Sequence, residues 1–130
     1  MAQVKAVNPW TWQDPLHFSQ AVEVRGGSRV IYCAGQTSVD DQGNPLHARD
    51  MAAQLAKAFD NLEAVLAKGG MTLANVVRLN YYVTDINAFF AAHAIVGARL
   101  GTVKPSGTLL GISSLFHPDA MVEIEATAVE

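Results

Sequence analysis

Near the C-terminus the chain reads Met121-Val122-Glu123-Ile124-Glu125-Ala126, a β-strand pattern with two carboxylates on one face. Side chains alternate along an extended backbone, so Met121, Glu123, Glu125 and Thr127 share one side and Val122, Ile124, Ala126 and Ala128 the other. The second set is core. The first asks for an explanation, because an ionised carboxylate is costly to bury unless it is paired or used. That face is either a polar interface or a site.

Upstream of this strand, Val76 to Val83 alternates in the same way, with Val77, Leu79, Tyr81 and Val83 set against Val76, Arg78, Asn80 and Tyr82. Between these two strands, Asp85 can cap a helix whose stripe is Ile86, Phe89, Phe90, His93, Val96 and Leu100, ended by Gly101. Lys104-Pro105-Ser106-Gly107 is then an extended turn into a strand from Thr108 to Ser113. Before Val76, an amphipathic helix runs from an Asp50 cap to Lys68, with Met51, Leu55, Phe59, Leu62 and Leu66 at helical spacing and Gly69-Gly70 as the stop. Earlier still, Phe18 to Val24 and Arg29 to Ala34 read as two strands joined through Gly26-Gly27 in a hairpin. The order ββαβαββ is α+β, with two helices covering one face of the sheet and the whole of 1–130 forming a single domain.

Composition narrows the function classes. Half of the 130 residues are apolar, enough for one core. A net charge of −3 provides no basic footprint, so nucleic acid is not an expected partner. No stretch is long enough to span a bilayer and no leader pattern opens the chain, so the expected address is the cytoplasm and no membrane partner is expected. The only cysteine, Cys33, lies in an apolar strand and is expected to be an inert buried thiol. The face carrying Arg78, Asn80, Tyr82, Glu123 and Glu125 has no lid inside one chain. It suits a subunit interface, with symmetric self-association as the expected outcome and Arg78 pairing Glu125.

Ala34-Gly35-Gln36, the long Ala-rich helix, Val83-Thr84-Asp85-Ile86, Pro105 before a strand, and Val122-Glu123-Ile124-Glu125-Ala126 occur in one order. Together they resemble the RidA/YjgF family of reactive-intermediate deaminases, from about Phe18 to Val129. The resemblance implies a chorismate-mutase-like fold, a homotrimer, and a small-molecule pocket at each subunit interface. It also implies water attack on the carbon of an imino or enamino acid, with loss of ammonia and without a cofactor. By the same resemblance Glu123 positions the water, Ala34 and Gly35 supply backbone groups, and Phe18 stands where a tyrosine often lines the pocket. Gly107, Thr108 and Leu109 are implied as further substrate-binding residues.

The family's carboxylate-gripping arginine corresponds to Gly107. Losing one partner of a desolvated charge pair costs about 2–5 kcal/mol, so a 2-imino acid is expected to bind roughly tenfold to several-thousandfold more weakly than in an arginine-bearing relative. Arg99, in the last turn before Gly101, reads as a dipole-complementing surface residue rather than a replacement. Backbone N–H groups at Gly107 and Thr108 suit a neutral carbonyl or a weaker anion, and glycine permits close approach. His93 is the second catalytic candidate, able to exchange protons near neutrality, against the plain alternative of a histidine packed at an interface. His17, His47 and His117 lack ligand spacing and read as solvated loop residues, so no metal site is expected. The hydroxyls of Ser106, Thr108, Ser113 and Ser114 have no adjacent base and read as structural. The functional expectation is a homotrimer that binds a small metabolite at each subunit interface and, if it is an enzyme, hydrolyses an imine, enamine or related reactive compound. Its rivals are a non-catalytic binding or interaction trimer and, less favoured, an RNA-cleaving protein.

Overall fold

The computed structural model describes residues 1–130. Its centre is a four-stranded sheet in the order β3-β6-β4-β5. These strands are β3 (Val30–Tyr32), β4 (Val76–Val83), β5 (Leu109–Gly111) and β6 (Val122–Val129). Strands β4 and β6 lie antiparallel, and β5 joins β4 in parallel, as the intervening helical connection requires. Helix α1 (Met51–Lys68) covers one face. Its start follows from Asp50, whose carboxylate accepts from the Ala53 N–H, and its stripe of Leu55, Phe59, Leu62 and Leu66 is completely buried. Against that stripe stand Val122, Ile124, Ala126 and Ala128 of β6 and Leu79 and Val83 of β4. The α+β class and the apolar face of the C-terminal strand therefore stand as expected.

Three local expectations do not. The first concerns the hairpin: β2 (Ala21–Arg25) pairs with an N-terminal strand β1 (Gln3–Val7), and β3 pairs with β6. Gly26 and Gly27, at φ 68° and 90°, carry the chain from one sheet to the other, and at Gly27 a Cβ would stand 2.7 Å from the Glu130 carbonyl oxygen. A glycine pair between alternating segments marks a reversal; only packing decides whether the segments then pair with each other.

The second concerns the helix from Asp85 to Leu100. It is two helices, α2 (Ile86–Ala91) and α3 (Ala94–Leu100), separated at Ala92-His93. The third is a register shift between Val76 and Arg78 on β4. The irregularity turns Val76 into the core with Leu79 and Val83, so the alternation read over the whole strand holds only from Arg78 onward. No helix is long and apolar enough to cross a membrane.

Candidate functional site

Beside the open edge at β5 lies a cavity of ≈ 170 Å³. It gathers Phe18, His93, Gly107, Thr108 and Leu109, five of the residues singled out in the sequence. The helix-side face of β4 provides Leu79 and Tyr81, and α2 provides Phe89 and Phe90. Tyr81 and Phe89 pack at a centroid distance of 5.2 Å, and burial raises the Tyr81 phenol well above its ordinary range. The break between α2 and α3 sets His93 at the wall, where burial first, and then the nearby His17, lowers its pKa below the usual histidine value.

His17 also lines this cavity, its ring centroid 5.7 Å from that of His93. Its reading as a solvated loop residue is corrected by this contact. Spacing along the chain carries no sign of the meeting, since the two are joined only by folding. A glycine in mid-helix, Gly97, was the available signal: a Cβ there would stand 2.5 Å from His17 Nε2.

Glu123, Ala34 and Gly35 belong to a different region. Glu123 lies opposite Tyr82 on β4, whereas Leu79 and Tyr81 face the cavity, and alternation sends these to opposite sides of the sheet. The Glu123 carboxylate rests directly on Gly35, so closely that a Cβ at position 35 would overlap Oε2. Glu123 is half-buried and belongs to no ion pair within the protomer. One protomer thus holds the candidate residues in two separated groups.

The neighbouring carboxylate behaves differently. Glu125 accepts hydrogen bonds from the Tyr82 hydroxyl and, at 3.2 Å, from the Asn80 amide. Chiefly the Tyr82 bond, then the Asn80 bond, holds its pKa below the usual carboxylate range, and Arg78 adds only a longer-range attraction. The expected Arg78–Glu125 ion pair is therefore replaced by neutral donors on β4, the strand that also carries Arg78.

Gly107 has its own steric reason. A Cβ at this position would overlap the Leu79 carbonyl oxygen, because the β4–β5 junction brings the two backbones together here. Thr108 N–H, which the sequence offered as a ligand donor, is already given to Asn80 Oδ1 at 3.0 Å. Arg99 does not take over the missing cation. It binds Asp60 at 2.7 Å and Glu63 at 2.9 Å, tying α3 to α1.

Residues 13–130 match the family described as Endoribonuclease L-PSP. The chain belongs to the RidA/YjgF family. Protein DfrA of Myxococcus xanthus is 31% identical over 86% of this chain and 84% of its own length. The 2-iminobutanoate/2-iminopropanoate deaminase of Dermatophagoides farinae is 27% identical, over 86% of this chain and 84% of its own. Among solved structures, the Rid family protein YyfB of Yersinia pestis is similar with a TM-score of 0.87 and 33% identity, covering 98% of each chain. RidA/YjgF membership accounts for the order of motifs from the Gly35 segment to the Glu123 strand. The steric closure at Gly107 and the paired histidines are read from this chain's own geometry.

Proposed function

We propose that the chain forms a homotrimer that binds a small metabolite where two protomers meet and hydrolyses an imine, enamine or related reactive compound. Both protons of water end on the departing nitrogen: as the adduct's C–O bond becomes a carbonyl the C–N bond breaks and ammonia or an amine leaves, the first of those protons being lost as water attacks the C=N carbon. Glu123 acts as the base that takes this proton, with the Gly35 main chain beside it, and His93 stands as the acid–base partner on the opposite wall. Phe18, Ala34, Gly107, Thr108 and Leu109 shape the binding surface. Joining the two groups requires a second copy, since a single protomer keeps them on opposite faces of its sheet.

The observation that carries this reading is the Glu123 carboxylate, half-buried on bare main chain and lacking any ionic partner, on a face that no helix covers. An acid left unneutralised in such a place is better explained by use than by packing. Likeness to an iminobutanoate deaminase supports the reaction class. A ribonuclease reading, which the family's description raises, is disfavoured by a net charge of −3.

Replacing Glu123 with Gln tests it. With a freshly generated imine as substrate, turnover is expected to fall by about 10²–10⁴-fold while light scattering reports an unchanged assembly. An undiminished rate removes Glu123 from the mechanism. A second reading, a binding trimer without chemistry, is favoured by the absence of a cation at Gly107. It wins if no imine is turned over by the unaltered protein.

A further inference from the structure

The ≈ 170 Å³ cavity has no lysine, arginine or carboxylate in its wall. A space of about 150 Å³ with apolar walls is enough to hold benzene, so this cavity has room for one ring-sized molecule. Apart from the Tyr81 phenol, its ionisable groups are the imidazoles of His17 and His93.

Each imidazole is held in a defined seat. His17 adopts a left-handed backbone conformation, φ 63° and ψ 40°, uncommon outside glycine and concentrated at functional positions. Its ring fits over α3 only because residue 97 is glycine. His93 packs edge-on to Phe89 at 5.8 Å and beside Phe90 at 6.0 Å, with the ring of His17 5.7 Å away. A neutral imidazole carries one donor and one acceptor nitrogen, so His93 can meet either a carbonyl or an N–H group. Nearby acids are engaged elsewhere: Asp14 lies 3.7 Å from Lys104, and Asp85 caps the Ala88 N–H.

An anion entering this space would give up its hydration with no cation from this protomer to receive it, and in the proposed assembly it would face the Glu123 carboxylate of a second copy. A neutral molecule with one flat face and one N–H or carbonyl group meets ring walls and two imidazoles, each offering a donor or an acceptor. Resting on the reading that this cavity takes the protein's small-molecule ligand, we propose that the ligand is an uncharged, ring-sized carbonyl or imine compound recognised through hydrogen bonds to His17 and His93. This makes His17 a specificity-determining residue.

Benzamide and benzoate, nearly equal in shape but neutral and anionic, form the test pair for calorimetric titration of the intact protein at pH 7.5. Benzamide is expected to bind at least about tenfold more tightly and to shift the imidazole carbon resonances of both histidines. His17→Asn keeps a residue that tolerates the left-handed backbone while removing the ring, and Gly97→Ala pushes the ring from its seat. Each is expected to weaken benzamide by about fivefold. Equal or tighter binding of benzoate overturns the proposal, as does benzamide affinity that neither substitution changes. Benzamide binding with both imidazoles shifted, but no hydrolysis of a freshly prepared benzaldimine, upholds the ligand class and overturns the hydrolytic reading alone.

Discussion

Two adjacent acids on one strand face have different fates, and the difference lies in what stands across from each. Glu125 meets hydroxyl and amide donors and is held as a carboxylate; Glu123 meets the Cα of Gly35. Gly35→Ala places a methyl group where the Glu123 carboxylate now lies and forces it aside. The expected result is a destabilisation of about 1–3 kcal/mol in urea unfolding together with lost turnover. Full activity in that variant would show that the carboxylate's position is immaterial. Glu125 carries a pH prediction. Its folded pKa is depressed, so its stabilisation is present above the unfolded value of about 4.3 and is lost as pH falls through the folded one. Tyr82→Phe removes the main donor, so the stability gap between variant and parent is expected to be open at pH 7 and to narrow toward pH 3. A gap of constant size in urea titrations at the two pH values contradicts the assignment.

At the scale of elements, the decisive feature is the parallel junction of β4 and β5. Ser106 and Leu79 exchange contacts through Leu79 N–H to Ser106 carbonyl at 2.9 Å, and Gly107 follows where only hydrogen fits against the Leu79 carbonyl. Gly107→Arg therefore does not simply add a guanidinium. Its Cβ collides with backbone, which no rotamer relieves, and a loss of about 1–3 kcal/mol or more is expected. If the variant unfolds at the parent's urea midpoint, the junction is more adaptable than its geometry implies. At the split between α2 and α3, His93 stands beside Phe89 and Phe90 of α2 in the cavity wall.

For the whole molecule, the sheet face that α1 leaves open is uncovered within one protomer. Tyr32 is 80% exposed and Leu110 45%, and β3 and β5 end the sheet with unpaired edges. Exposed edges and apolar residues beside polar ones are features that self-association covers. Light scattering is expected to give three times the chain mass. Leu110→Glu, which adds an acid to the face already bearing Glu123 and Glu125, is expected to shift the protein toward the monomer and lower turnover with it. A wild-type monomer that retains full activity rules out a shared site.

Much of the fold is legible in the chain because strong periodicity coincides with clear end signals. Asp50, the Leu55 to Leu66 stripe and Gly69 bound α1, and alternation from Val122 to Ala128 identifies β6 and its buried face. Family resemblance added which positions to watch, and Phe18, His93, Gly107, Thr108 and Leu109 do meet around one cavity. Partner choice was not legible. Whether β2 pairs with β1 or β3, whether Glu125 meets Arg78 or Tyr82, and whether His17 meets solvent or His93 depend on contacts between residues distant in sequence. Periodicity and capping are local properties of the backbone, so the sequence alone determines α1 and β6 with their apolar faces, while strand β1 and the break at Ala92-His93 belong to the folded chain. Pairing, register shifts and the seat of each polar side chain follow from long-range packing, and only the tertiary structure decides them.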